Sequence, residues 1–595
     1  MNDDPYLVPA RTEYRYLVQE DEGEELQYVR HRNYVNPLLV VSRRCICLIT
    51  SIVVALLSIA AYLAYIAQTP PPGVANVLTG CGEFRGRHMD GTYSFKGMPY
   101  AAPPVGDLRW APPAEPKCRK GIMDASRFGS VCAQIQPLVS TGQVMGQEDC
   151  LFINVWTPTL QPDAKLPVIV FFHGGSLQMS SGGEDGYRPT EKLAADTGVV
   201  YVSFNYRLNA FGFMALEILR EGSPTNTSGN YGFMDQIAAL KWVQRNIHAF
   251  GGDPKKVTIL GHSSGGTSVW TMMTSPLGKG LFRAGVDMSG SYVYTATLQQ
   301  VEKDNLWFLK KTGCRDLACL RRLSITQILQ AIPWKEYPYW AQDDLFDLPT
   351  KGLLVGSLPV VDGYVLQAPP LEVWEKKLDY SDVPFVVGST AQETDFSPPA
   401  DNITMWTWED YRWHVTEKLK TFNESLPKRA LALYPPSDPC PTKDRCPERA
   451  LTTMGSDIRV TCPLNHLAWR AAVALDSPVY RYVVTHTPSN PANTSWNFFP
   501  FPSIFSYHGL DTVAFLGWIE PFLGKTPSDG DKMFAALITQ HFINFARTGK
   551  MTDDWPEYTE AIALLSDKLS LVPNYRADRC QLWKDNGMFA YAWVG

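Results

Sequence analysis

Apolar and polar positions along this chain fall into three regimes. Residues 1–44 show little apolar periodicity and are rich in Asp, Glu, Arg and Tyr, the pattern of a tail that cannot bury enough surface to fold. Residues 45–67, CICLITSIVVALLSIAAYLAYIA, carry no charge and are long enough to cross a hydrocarbon core, which takes about 20 residues. From Val74 onward, short apolar runs alternate with helical patterns. Leu166 to Phe172, Gly198 to Phe204, Val257 to Leu260 and Val383 to Val387 read as strands. Asp235 to Phe250 sets Ile237, Leu240, Val243, Ile247 and Phe250 along one helical face, and Phe534 to Phe545 also reads as helix. Such alternation predicts the α/β class, a mostly parallel central sheet wrapped by helices. No linker, low-complexity break or internal repeat divides the body. Residues 81–595 are therefore expected to form one folded unit behind a spacer, 68–80, stiffened by Pro70 to Pro72.

The apolar segment reads as a retained signal-anchor helix. A cleaved signal peptide is the competing reading, but the stretch is long for one and the tail before it far exceeds an ordinary n-region. Arg30, His31, Arg32, Arg43 and Arg44 precede it and Gln68 to Gly73 are uncharged, so the amino terminus is expected in the cytoplasm and the body outside the cell, in single-pass type II topology. Ten of the 12 cysteines follow the segment, an even number that suits disulfides in an oxidising space. Cys45 and Cys47, at its cytoplasmic edge, suit either S-palmitoylation or plain apolar packing. Asn226, Asn402, Asn423 and Asn493 head Asn-x-Ser/Thr sequons in polar, turn-like stretches and are expected to carry glycans. Tyr14-Arg15-Tyr16-Leu17 looks like a tyrosine-based sorting signal, a pattern short enough to recur by accident.

A net charge of −6, with no Lys/Arg cluster in the body, excludes nucleic-acid binding. No His-Glu-x-x-His motif, phosphate loop or dinucleotide fingerprint occurs, so no metal and no cofactor is implied.

The chemistry concentrates at Gly261-His262-Ser263-Ser264-Gly265, directly after the run Val257 to Leu260. This is the pattern of a nucleophile elbow, in which a strand turns into a helix so sharply that the residues two before and two after the serine must be small. The helix is expected to start around Gly266. A serine hydroxyl needs a base to take its proton, and that base needs an acid to hold its tautomer. In α/β-hydrolases these follow in the order Ser, acid, His. Of the downstream histidines His414, His466, His486, His508 and His541, the residue chemistry mildly favours His508, which sits in a loop beside Gly509, whereas His541 falls in the predicted helix. The oxyanion of a tetrahedral intermediate would be met by the N–H of Ser264, which follows the nucleophile, and by a glycine loop after an earlier strand.

Over about Cys81 to Trp583 the chain resembles the type-B carboxylesterases, the family that includes cholinesterases. Phe95 to Pro104 (FKGMPYAAPP), Glu148-Asp149-Cys150-Leu151, Asn205-Tyr206-Arg207, Gly229-Asn230-Tyr231-Gly232 with Asp235-Gln236, and Phe250 to Pro254 (FGGDP) carry the resemblance. It implies the α/β-hydrolase fold, with Ser263 as nucleophile, Glu393 in Gly388-Ser-Thr-Ala-Gln-Glu as acid and His508 as general base; Asp395 is the alternative acid. It also implies that His173-Gly174-Gly175-Ser176 is the oxyanion loop, with Gly175 and Ser176 as donors. The chain departs from the family where Ser176 replaces a third glycine, and where His262 and Ser264 replace the Glu and Ala that flank many members' nucleophile. The resemblance further implies disulfides Cys132–Cys150, Cys314–Cys319 and Cys462–Cys580, and a structural Arg109–Glu148 ion pair. Cys81, Cys118, Cys440 and Cys446 remain, with their connectivity open.

Cholinesterases hold a quaternary ammonium against a tryptophan in the loop that corresponds to Cys132–Cys150. That loop has no aromatic residue here, and Ser140 falls near the expected position, so choline specificity is not expected. Trp496, Phe498, Phe499, Phe501, Phe505 and Tyr507 could line an apolar gorge for lipophilic esters or simply pack the core. Two functions follow. One is a membrane-anchored, extracellular serine esterase acting on a small ester substrate. The other is a cell-surface adhesion or recognition module that binds a protein partner, a role for which relatives have typically lost triad residues; here all three positions are intact.

Overall fold

The computed structural model describes residues 50–60, 73–135, 143–221, 223–291, 295–332, 346–352, 359–400, 402–442, 444–493 and 501–592. The tail 1–44, both ends of the 45–67 segment, Ser140, Trp496, Phe498 and Phe499 lie outside the described residues. The chain divides into two compact units between Pro72 and Gly73. In the first, residues 50–60 are helical; among the described residues no helix is long and apolar enough to cross a membrane.

The second unit is built on one large twisted sheet. Its strands are β1 (Val74–Thr79), β2 (Gly82–Met89), β3 (Thr92–Pro99), β4 (Phe152–Thr157), β5 (Leu166–Phe172), β6 (Val200–Phe204), β7 (Gly252–His262), β8 (Ala284–Met288), β9 (Phe385–Thr390), β10 (Val479–Val484), β11 (Ile562–Leu565) and β12 (Leu569–Val572), and the short strand Ile122–Asp124 pairs with β2. The spatial order is β1-β2-β3-β4-β6-β5-β7-β8-β9-β10-β11-β12. From β6 through β11 every neighbouring pair is parallel, and antiparallel pairs close both edges. β1 begins at Val74, so the stretch expected to be spacer, 68–80, contains the first edge strand.

The central strands are apolar on both faces because helices cover both. All five residues of β8 and all six of β9 are buried. On one side packs α1 (Tyr231–Asn246), which starts four residues before the apolar periodicity suggests and hands over to a 3-10 turn at Ile247. Ile237, Leu240, Val243, Ile247 and Phe250 are all buried, as their spacing predicts. β5 lies between β6 and β7, so the chain order reverses there, and in parallel sheets the crevice outside the strands' carboxyl ends at such a point is where ligands bind.

Candidate active site

β7 runs to His262 and α2 (Ser264–Thr274) begins two residues later, so Ser263 alone makes the turn. Both elements approach the serine more closely than the apolar pattern suggests, because β7 stays paired with β8 as far as His262 opposite Met288. Ser263 takes φ 62° and ψ −129°, a region that side chains rarely occupy. Its N–H donates to the Met288 carbonyl at 2.8 Å and its carbonyl accepts from the Thr267 N–H at 3.0 Å. The reversal is so tight that a Cβ on Gly261 would stand 2.1 Å from the Gly265 carbonyl oxygen, and one on Gly265 2.1 Å from that of Phe172. Small residues at these two positions are a steric requirement. Ser263 also caps the positive end of α2.

The loops after the next parallel strands bring Glu393 and His508 together. Glu393 opens a 3-10 turn, Glu393–Phe396, just after β9. His508 follows β10 and precedes α3 (Leu510–Phe515). His508 Nδ1 and Glu393 Oε2 are 2.6 Å apart, and Glu393 Oε1 accepts from the Ser289 hydroxyl and the Thr390 N–H, each at 2.6 Å. Asp395 turns away: its Oδ2 accepts from the N–H groups of Ile504 and Phe505 at 3.2 Å. Burial, with Glu448 nearby, holds its carboxyl well above the usual range. The other candidate histidines have partners elsewhere: His541 with Thr552, His486 with Asp531, His414 with Asp347, and His466 against Trp469.

Ser263 and His508 are each only 4% exposed, and Glu393 is fully buried. Burial lifts Glu393 to about 7, against the donors from Ser289 and Thr390 that pull it down. Burial holds His508 down at about 3. The two groups share a hydrogen bond, so a proton taken up by either belongs to the pair. Burial keeps the imidazole neutral and delays ionisation of the carboxyl to about neutral pH.

His262 lies with its ring centroid 4.2 Å from that of His508, and its Nδ1 is 3.0 Å from the Tyr187 hydroxyl. Burial, and then His508, hold its pKa well below the ordinary value, so His262 stays neutral too. Phe396 stacks against His508 with centroids 5.6 Å apart, and Phe346 meets Phe396 edge-on at 4.6 Å. Phe505 and Tyr507 are fully buried and belong to the core, not to a gorge wall.

The segment His173 to Leu177 leaves β5 beside the elbow, because Phe172 pairs with Gly261. Gly175, Ser176 and Leu177 take φ values of 99°, 55° and 60°. The Ser264 N–H heads α2, where no intrahelical acceptor exists. A Cβ on Gly174 would stand 2.8 Å from the Ser263 Cβ, so this segment passes beside the serine.

All the expected disulfides form, and the open connectivity resolves as Cys81–Cys118 and Cys440–Cys446 beside Cys132–Cys150, Cys314–Cys319 and Cys462–Cys580. Arg109 Nε donates to Glu148 at 2.6 Å while its Nη1 donates to carbonyls of Leu320, Arg321 and Leu323, which marks the pair as scaffold. Asn226, Asn402 and Asn423 are exposed and Asn493 is half-buried. Ser289 and Tyr187 escaped the sequence reading, since neither belongs to a motif, and Tyr206 entered it only as part of Asn205-Tyr206-Arg207.

Comparison with known proteins agrees with this geometry. The carboxylesterase family model matches residues 74–583. Fumonisin B1 esterase of Sphingopyxis macrogoltabida is 31% identical over 498 residues, covering 83% of this chain and 86% of that one. Neurotactin of Drosophila melanogaster is 33% identical over 402 residues, 65% of this chain and 45% of that one. A PNB esterase structure superposes with a TM-score of 0.68 at 28% identity, covering 85% of this chain and 99% of the other. The α/β sheet, the elbow and these relatives together place the chain in the carboxylesterase family, as a carboxylester hydrolase.

Proposed function

We propose that this protein is a membrane-anchored, outward-facing serine esterase that works through an acyl-enzyme on Ser263, His508 and Glu393. The observation that carries the reading is the 2.6 Å pairing of His508 with Glu393 beside a strained serine elbow. Ser263 Oγ attacks the ester carbonyl and its proton passes to His508. Glu393 offsets the imidazolium charge. The oxyanion is met by the N–H groups of Gly175, Ser176 and Ser264, a term worth about 100- to 1,000-fold in rate per donor. His508 returns the proton to the leaving alkoxide, the alcohol departs, and water attacks the acyl-Ser263 by the same steps in reverse roles to release the acid. No cofactor takes part.

The substrate class is a neutral, lipophilic ester. Phe346 and Phe396 offer an apolar surface next to His508, while the Cys132–Cys150 loop has no aromatic face for a quaternary ammonium. Residues 45–67 are the anchor, which puts the esterase unit on the extracellular side with glycans at Asn226, Asn402, Asn423 and Asn493. A second reading, left open by the neurotactin relative, is a recognition ectodomain for a cell-surface partner; the intact Ser263, Glu393 and His508 speak for catalysis. Hydrolysis of a short-chain aryl ester by the wild type, lost in Ser263→Ala, supports the esterase. A folded wild type inert toward a panel of aryl and alkyl esters leaves the recognition reading.

A further inference from the structure

The side chain of Ser264 links the start of α2 to the segment that leaves β5. Its Oγ accepts from the Leu177 N–H at 3.1 Å. Burial keeps the Tyr206 phenol protonated. Tyr206 donates to the His173 carbonyl at 2.8 Å and stacks on the His173 ring with centroids 4.3 Å apart. The segment His173 to Leu177 is thus held at its Leu177 end by the Ser264 hydroxyl and at its His173 end by the Tyr206 phenol. The start of α2 is itself braced, because the Ser264 carbonyl accepts from the Ser268 hydroxyl at 2.8 Å, and the Ser268 oxygen accepts from Gln236 at 3.0 Å.

Between the tied ends, Gly175, Ser176 and Leu177 sit in succession at positive φ. For the two that carry a Cβ this conformation is costly, and it persists only where the surroundings over-determine it. Without a tether, a rotation of one peptide plane would relieve the strain and turn an N–H away from the serine. A side chain of alanine size after the nucleophile supplies no acceptor for Leu177.

From this we propose that the Ser264 hydroxyl is a positioning residue that locks the strained 174–177 backbone, so that its N–H groups stay aimed at the oxyanion. The mechanistic part rests on the esterase reading; the tether itself does not. Ser264 then has two separate roles, its backbone N–H facing the substrate oxygen and its side chain holding the other donors.

The test is hydrogen exchange on the full-length chain, followed by mass spectrometry of peptides covering 173–177, for wild type, Ser264→Ala and Tyr206→Phe. Tyr206→Phe leaves α2 untouched and loosens the segment from its other end, so it serves if Ser264→Ala folds poorly. Faster exchange in this segment, with the sheet peptides unchanged, is expected in both variants; exchange equal to wild type in both overturns the tether. In ester hydrolysis, loss of one such hydrogen bond should lower kcat about three- to tenfold with KM within about twofold. Affinity for a trifluoromethyl ketone, whose hemiketal oxyanion needs the same donors, should fall in proportion. A rise in KM with unchanged kcat and unchanged ketone affinity would place Ser264 in substrate binding instead and overturn the proposal. A wild type that hydrolyses no ester defeats the esterase reading while hydrogen exchange still decides the tether.

Discussion

Ser289 gives the sharpest handle on the electrostatics of the site. Its hydroxyl donates to Glu393 Oε1 at 2.6 Å while Glu393 Oε2 faces His508, so it stabilises the carboxylate without touching the base or the serine. A hydrogen bond to a charged group is worth about 1.5–3 kcal/mol. At about 1.36 kcal/mol per pKa unit, Ser289→Ala should raise Glu393 by about one to two units. Burial holds the Glu393 carboxyl at about 7 in the wild type. The acid limb of kcat/KM should therefore lie near 7 and move to about 8–9 in the variant, with activity near pH 7 down about tenfold or more and recovered above the new limb. The assay is kcat/KM for a short-chain aryl ester from pH 5 to 10, corrected for spontaneous hydrolysis. Stability supplies a second readout. The folded carboxyl binds its proton more tightly than the unfolded one, so its contribution is fully present below the ordinary value and is lost as pH rises through about 7. In Ser289→Ala that loss should extend to higher pH, seen as a melting temperature that keeps falling beyond neutrality relative to wild type. A variant whose activity is reduced equally at every pH, with its acid limb unmoved, would refute the claim that Ser289 acts through Glu393.

Three further outcomes follow. Glu393→Gln should lower kcat by about 10⁴, the usual effect of replacing a triad acid with its amide. Asp395→Asn should stay within about threefold of wild type, because that carboxyl faces the Ile504 and Phe505 amides and not His508. Equal losses in the two, measured by steady-state kinetics, would contradict the assignment. Removing Cys462–Cys580, which closes 118 residues, should cost about 5 kcal/mol in urea unfolding, against about 2 kcal/mol for Cys314–Cys319, which closes 5; the reverse order would show that loop entropy does not govern these bonds here. Acetylcholine should be a poorer substrate by kcat/KM than a neutral ester of matched acyl chain, and a preference for the cation would require an aromatic face that the Cys132–Cys150 loop does not supply.

How much of this was legible in the chain depends on the range over which each feature is determined. The elbow is local: Gly261 and Gly265 are forced by contacts within five residues and with the neighbouring strand, and together with the strand-like run Val257 to Leu260 they point to Ser263. The central strands are legible because burial on both faces leaves continuous apolar runs. Their ends are not, since the pairing of His262 with Met288 that carries β7 up to the serine depends on a strand 26 residues away. Glu393 and Asp395 are chemically equivalent acids two residues apart, and only the 3-10 turn that sends one toward His508 and the other toward Phe505 separates them. Family resemblance, not residue chemistry, chose between them. Ser289 reaches Glu393 across 104 residues and Leu177 reaches Ser264 across 87, so neither contact leaves a trace in spacing or periodicity. Phe505 and Tyr507 fill the core, the ordinary role of an aromatic cluster, whereas Phe396, distant from them in sequence, stacks on the imidazole with Phe346 behind it.

The central claim is that Ser263 becomes acylated. The most direct measurement is to quench p-nitrophenyl acetate turnover with acid within the first turnovers, digest the protein and find the modified residue by mass spectrometry. The account predicts one acetyl group on the peptide containing Ser263, absent from Ser263→Ala and formed far more slowly when His508 is replaced, because the same imidazole takes the serine proton. Turnover with no acyl group on Ser263, or acetyl carried by another residue whose replacement abolishes activity, would contradict it.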